Sequence, residues 1–374
     1  MAPRRLGIIG CGFIGTVHSY ALKALIGGGL VDAEVVAVTD TEESRARQLA
    51  GAHPGAQAMA DAEAVIAAAE AVWICTPTNS HLDLVRAAAR AGVAVYCEKP
   101  LATDLAGALE LTRAVSEAGV PHQVGLVLRA STPFSLLAAL TGGDLPGPVT
   151  GPAARGGMSG LDPTSLGRPM AAALRDDQFF PIQGMYGSTW RADVSVAGGG
   201  TLIEHSIHDL DLLAWLLGPV ESVTARTSNF AGHPGVEDVA VATLTHRSGA
   251  TSSLVSVWHR LLTRPSTRRL EIFCQDALLT VTAEDTGPVL VEHPGGLAEL
   301  GLPPAVLAFR DRLDAAEAFR LPLLAYALSD HAFLDALDAG RPPWPGLEIA
   351  LAAHRIADAV YRSAASGGAP MSPG

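Results

Sequence analysis

Leu6-Gly7-Ile8-Ile9-Gly10-Cys11-Gly12-Phe13-Ile14-Gly15 decides the fold of this chain. Residues 6–9 are an apolar run short enough for a strand, and residues 14–26 carry helical spacing. Between them Gly10, Gly12 and Gly15 match G-x-G-x-x-G in the strand–turn–helix setting that the motif requires. The first glycine permits a tight turn, the second admits a pyrophosphate against the backbone, and the third lets helix and strand pack closely. The helix start then offers N–H donors and positive dipole, so Phe13 and Ile14 join the glycines as candidate phosphate contacts. A chance glycine turn would not need this setting.

Outward from that turn, strand and helix patterns alternate. Residues 34–39, 71–75, 93–97 and 122–128 read as strands, with helical patterns over 42–50, 81–91 and 104–118. Short apolar runs separated by helices predict a doubly wound parallel sheet over residues 1–128. Asp40 ends the second strand, 25 positions after Gly15. A carboxylate there can bind a ribose 2′-hydroxyl and repel a 2′-phosphate, which favours NAD over NADP. It can also cap the next helix. Arg45 keeps NADP open, or is simply a solvated helix residue. Thr76, Pro77, Asn79 and His81 close the next strand. They either line the cofactor's ribose or nicotinamide, or form a turn and helix cap.

Residues 129–374 read differently. Residues 141–160 are rich in Gly and Pro, irregularity is expected to about 177, and 178–190 are aromatic-rich, suited to a lid or substrate wall. A helix over 201–217 and consecutive strands over 220–230, 237–245, 251–259, 269–274 and 278–283 follow. They predict an α+β domain with a large open, mostly antiparallel sheet. Residues 321–339 and 347–363 read as closing helices of this domain.

The chain's 374 residues suit two domains, and 48% apolar against 17% charged residues marks it as globular. A net charge of −12 with no basic stripe argues against nucleic acid. No apolar run has the ~18 residues of a membrane helix. Arg4-Arg5 precedes a run too short for an export signal. Cys11, Cys75, Cys97 and Cys274 contain no Cys-x-x-Cys pair, so reduced cytoplasmic thiols and no metal site are expected.

Two stretches carry chemistry. The first is Glu98-Lys99-Pro100, at a predicted strand's carboxyl end, where ligands bind in open α/β sheets. The chain holds two lysines, Lys23 and Lys99, against twenty-four arginines. Arginine stays protonated, whereas a partly buried lysine amine can shuttle a proton. A charge pair closing the strand is the plainer alternative. The second is Gly198-Gly199-Gly200 followed by Glu204 and His208, four apart and so on one helical face. A histidine at a helix start stays neutral and suits a base near neutral pH. A salt link or a metal pair is the alternative, although a metal needs further ligands that the spacing does not supply. His205 and Asp209 fall on another face and read as supporting groups.

The order of these motifs resembles the Gfo/Idh/MocA oxidoreductases over nearly the whole chain, including Ala339-Gly340-Arg341-Pro342-Pro343 and Tyr361-Arg362-Ser363. The resemblance implies a Rossmann domain, an open sheet that builds homodimers or homotetramers, and hydride transfer between a nicotinamide and a sugar, inositol or related polyol. It makes Lys99 and His208 the acid–base pair, with Glu98 positioning Lys99, both Glu98 and Lys99 touching the cofactor, and Pro100 closing the loop with a cis bond. It places Glu204, where the family usually has aspartate, beside a neighbouring hydroxyl. Arg129, Trp190 and Arg191 become substrate-pocket candidates. The same scaffold resembles NAD-dependent glycosidases, and a non-catalytic NAD-binding sensor is the third class.

Overall fold

The computed structural model describes residues 2–145, 156, 161–282 and 287–374. Most of the Gly/Pro-rich stretch of 141–160 therefore lies outside the described residues. The chain divides into two compact units, Met1–Val127 with Ala308–Leu351, and Leu128–Leu307 with Ala352–Gly374.

In the first unit β1 (Arg4–Ile9), β2 (Ala33–Thr39), β3 (Gln57–Ala58), β4 (Ala71–Ile74), β5 (Ala94–Cys97) and β6 (His122–Val124) form one sheet, in the order β3-β2-β1-β4-β5-β6. Every pairing is parallel. β4 and β5 are buried at every position, as expected of central strands covered on both faces. The strand order reverses between β1 and β4. The turns after those two strands, which carry the glycine motif and Thr76, thus share the crevice where such sheets bind ligands.

One face of this sheet buries aliphatic side chains such as Val65, Ile74, Val85, Leu111 and Leu126. The other buries Leu22, Trp73, Tyr96 and Phe333. Phe333 comes from the helix Leu324–Asp338, far along the chain. Its ring meets Trp73 and Tyr96 edge-on, with centroids 5.4 and 5.7 Å away. Burying a phenylalanine is worth about 1.5–3 kcal/mol. That helix was expected to close the second domain, and clusters instead with the first unit.

In the second unit the helix Thr132–Thr141 precedes β7 (Pro169–Phe179). The helices Val194–Ala197, Thr201–Glu204 and Ile207–Leu217 follow. Then come β8 (Val220–Ser228), β9 (Val239–His246), β10 (Thr251–His259), β11 (Thr267–Cys274), β12 (Leu278–Val281), β13 (Val289–His293) and β14 (Gly296–Leu300). The sheet order is β14-β13-β12-β11-β7-β10-β9-β8. Only β7 and β10 run parallel; the other pairings are antiparallel. β9 alternates buried and exposed residues, the pattern of a sheet covered on one face.

Three strands of this unit escape the sequence patterns, as does the two-residue β3 of the first. β7 sits inside the sheet where irregular chain was expected, because its alanines and its acidic pair Asp176-Asp177 do not resemble a strand. β13 and β14 add a hairpin at one edge. No helix among the described residues is long and apolar enough to cross a membrane.

Candidate active site

The glycine turn is built for close approach. Gly10 has φ +94°, and a Cβ there would lie 2.7 Å from the Cys75 carbonyl carbon. A Cβ on Gly15 would lie 2.0 Å from the Gly10 oxygen. Gly12 differs, since a Cβ there would meet nothing within 4 Å. The helix Phe13–Gly27 starts at Gly12 without a side-chain cap and without an acidic residue in its first turn. An open backbone face and an uncapped helix start fit a pyrophosphate. Asp40 accepts hydrogen bonds from the Cys11 N–H at 2.7 Å and the Glu42 N–H at 2.8 Å. It thereby ties β2's end to the glycine turn and to the turn before the next helix, whose N-cap is Glu42 rather than Asp40. Arg45 pairs with Glu42 at 3.0 Å, with both side chains about half exposed, an arrangement of little energetic weight.

Thr76 and Pro77 lead into a short 3-10 turn, Thr78–Ser80, held by Ser80 Oγ donating to Thr76 Oγ1 at 2.7 Å. Asn79 is exposed on this turn. The sequence offers His81 either to the cofactor or to a turn and helix cap; its buried ring nitrogens lie 2.8 Å from the Pro100 oxygen and 3.0 Å from the Thr76 oxygen. The ring clamps the turn after β4 to the Glu98-Lys99-Pro100 turn.

The Lys99–Pro100 peptide is cis. Glu98 is buried, and its Oε2 accepts the Lys99 N–H at 3.3 Å. Its Oε1 lies 3.0 Å from His18 Nε2, and His18 Nδ1 lies 2.8 Å from Asp330 Oδ1. Asp330 also accepts the Trp73 indole N–H at 2.9 Å. Burial alone would pull the His18 pKa down, but Asp330 and Glu98 overcome it and raise it to about 10. The geometry agrees, because only an imidazolium donates at both nitrogens.

This has a sign. His18 titrates at 6.5 when unfolded and near 10 when folded, so its stabilisation is complete below pH 6.5 and is lost as pH rises through 10. Urea unfolding from pH 6.5 to 10 is expected to show stability falling, with a shallower fall in Asp330→Asn. Equal slopes in the two proteins would refute the charged assignment.

The second unit holds the other motif. A Cβ on Gly200 would lie 1.8 Å from the Glu237 carbonyl oxygen, so only glycine admits this contact. The Glu237 carboxylate accepts the N–H of Gly200 at 2.8 Å and of Leu202 at 3.0 Å, and the Tyr361 hydroxyl donates to it at 3.0 Å. Glu237 thus caps the helix start that follows the triple glycine.

The expected helix over 201–217 is interrupted. Thr201–Glu204 and Ile207–Leu217 are separate helices, so the one-face argument for Glu204 and His208 does not apply. The interruption is fixed from the sheet. Ser206 Oγ donates to Asp176 at 2.9 Å, and His205 Nε2 lies 3.0 Å from the same carboxylate. His208 stands half-buried at the start of the second helix. Asp176, Ser256 and Arg268 are cross-strand neighbours on β7, β10 and β11. Arg268 Nε bonds Asp209, completing a buried polar layer beneath these helices.

Glu204, Arg191 and Trp190 come together. Glu204 is buried and accepts from Arg191 Nε at 2.9 Å, while the Arg191 guanidinium lies over the Trp190 ring at 4.3 Å. Arg129, the other substrate-contact candidate, is buried and ion-paired. Its buried fork grips Asp211 at 2.7 and 2.8 Å and lies over Trp215 at 4.7 Å. Among the described residues no group of three or more His, Cys, Asp or Glu is placed to hold a metal ion.

Both parts of the chain match family models. Residues 4–126 match the model of the oxidoreductase family with an NAD-binding Rossmann fold, and residues 161–280 match the GFO/IDH/MocA C-terminal domain. This chain belongs to the Gfo/Idh/MocA family. It is therefore an oxidoreductase with an NAD-binding Rossmann domain. It is 30% identical over 369 residues to inositol 2-dehydrogenase of Rhizobium meliloti, covering 96% of this chain and 97% of that one. It is 28% identical to D-apiose dehydrogenase of Rhizobium rhizogenes, covering 98% and 97%. A solved levoglucosan dehydrogenase, in complex with NADH and levoglucosan, has the same fold with a TM-score of 0.80 at 20% identity, covering 99% of each chain.

Proposed function

We propose that this oxidoreductase transfers hydride reversibly between NAD and a secondary alcohol of a sugar, inositol or related polyol. The observation that carries this is buried Glu204, held by Arg191 beside the Trp190 ring. A polyol offers hydroxyls to a carboxylate and guanidinium, and a C–H face to an aromatic ring. Relatives that match along their whole length and are named as polyol and sugar dehydrogenases support the same class. They favour it over a glycosidase or a sensor.

NAD, when bound, supplies the hydride acceptor. The glycine turn and uncapped helix start would hold its pyrophosphate. Asp40 would take the ribose 2′-hydroxyl, which favours NAD over NADP. His208 would take the proton of the substrate hydroxyl. Lys99 hydrogen-bonds the same oxygen and stabilises its developing charge. Glu204 accepts from a neighbouring hydroxyl. A cytoplasmic homodimer or homotetramer is part of the proposal.

The test is NADH absorbance with purified protein, NAD and a panel of myo-inositol, D-apiose, aldoses, amino sugars and glycosides, with product analysis. Substrate-dependent NADH formation is expected from a polyol or sugar. Sugar released from a glycoside without net NADH would replace this proposal with redox-assisted hydrolysis.

A further inference from the structure

Lys99 sits at the end of a buried chain of groups that its own motif does not contain. We propose that His18 and Asp330 are positioning residues for Lys99, acting through the Glu98 carboxylate. The inference rests on Lys99 being catalytic, as proposed above.

Each link is a contact within the first unit. Asp330 faces His18 Nδ1 at 2.8 Å, His18 Nε2 faces Glu98 Oε1 at 3.0 Å, and Glu98 Oε2 accepts the Lys99 N–H at 3.3 Å. His18 and Asp330 are 0% exposed and Glu98 is 4% exposed, so water does not substitute for a missing partner. Around His18 stand the rings of Tyr96 and Tyr326, edge-on at 5.0 and 5.6 Å. The Cys75 thiol, neutral through burial, also feels Glu98 and Asp330. Burying three ionic groups is costly unless all are paired, and apolar side chains of similar size would serve packing alone. Here they converge on the Glu98 carboxylate, whose second oxygen accepts the Lys99 N–H.

Two further features point the same way. His18 lies on the helix Phe13–Gly27, whose start forms the glycine turn, so one rigid element supports both the turn and Glu98. Gly125, just after β6, leaves the space the carboxylate occupies, for a Cβ there would lie 2.2 Å from Glu98 Oε1. Gly125→Ala would therefore displace the carboxylate that His18 contacts without altering any charge.

The experiment uses the full chain with Asp330→Asn, His18→Gln and Gly125→Ala, each first checked for a cooperative thermal transition. Two readouts follow. The first is turnover of myo-inositol or D-apiose with NAD. A kcat lower by about tenfold to a hundredfold with an unchanged KM for NAD is expected. Asp330→Asn should add nothing to Lys99→Arg, because groups acting in one unit are not additive.

The second readout needs no turnover. Acetic anhydride labels Lys99 and the exposed Lys23, the chain's two lysines, and mass spectrometry gives their rate ratio. Displacing Glu98 is expected to change that ratio at least twofold. Folded variants with wild-type kcat and an unchanged ratio overturn the inference. If Asp330→Asn does not fold, Gly125→Ala decides by the same criteria. If Lys99→Arg turns over normally, it is the catalytic assignment of Lys99 that fails, and the labelling ratio still reports on the chain from Asp330 to Lys99.

Discussion

Lys99→Arg is expected to lower kcat by about 10²- to 10⁴-fold, the usual contribution of a positioned acid–base group. NAD affinity should change little, because the pyrophosphate site proposed above uses backbone around Gly12 rather than this side chain. The substitution keeps the positive charge and removes the amine that can give up a proton. It thus separates electrostatic stabilisation of the substrate oxygen from proton transfer. The measurement is steady-state turnover of the polyol identified in the panel, with NAD binding followed separately. A folded variant with near-normal kcat would show that charge alone suffices and that Lys99 does not titrate in the reaction.

The first unit was legible in the sequence because its signals are local. A glycine turn, a strand before it and a helix after it lie within residues 4–27, and the parallel sheet follows from apolar runs spaced by helices. What stayed hidden there depends on contacts made late in the chain. Asp330 is 312 positions from His18, and no spacing rule joins an acid on one helix to a histidine on another. His18 itself offered a faint signal, an ionisable residue among the apolar positions of the first helix.

The second unit was less legible for a related reason. The β8–β10 pattern of alternating residues was readable, whereas β7 was masked by its own acids. Asp176 and Asp177 look like loop residues until β11 and the chain before it bring Arg268 and Arg264 against them. Glu237 is similar. Its glutamate reads as an ordinary strand residue, yet its carboxylate caps the turn that makes the triple glycine necessary. The helical spacing of Glu204 and His208 misled, because Ser206 and His205 bond Asp176 and interrupt the helix between them.

Arg268→Ala is expected to destabilise the protein by about 3–5 kcal/mol, the cost of leaving buried charge without its partner. Arg268 is 2% exposed and sits between Asp176 and Asp209, both 0% exposed. Burial, first, and then the neighbouring Asp176 push Asp209 up to about 8 against the pull of Arg268. Asp176 is held well below the usual carboxylate range: burial would raise it, but Arg268 and His205 prevail. The sign follows for each. Asp209 stabilises fully below its unfolded value of 3.8, and that contribution is lost as pH rises through about 8. Asp176 contributes above 3.8 and loses its contribution only as pH falls well below it. Without Arg268 the Asp176 value rises, so the variant's deficit should be largest near pH 8 and smaller near pH 5, where both acids can bind protons. Urea unfolding at the two pH values measures this, with Arg269→Ala on the exposed side of the same strand as the control. That control should stay within about 0.5 kcal/mol of the parent, as surface substitutions usually do. A deficit that is equal at both pH values would mean that Arg268 acts by packing, and that the two carboxyl groups do not depend on it for their charge.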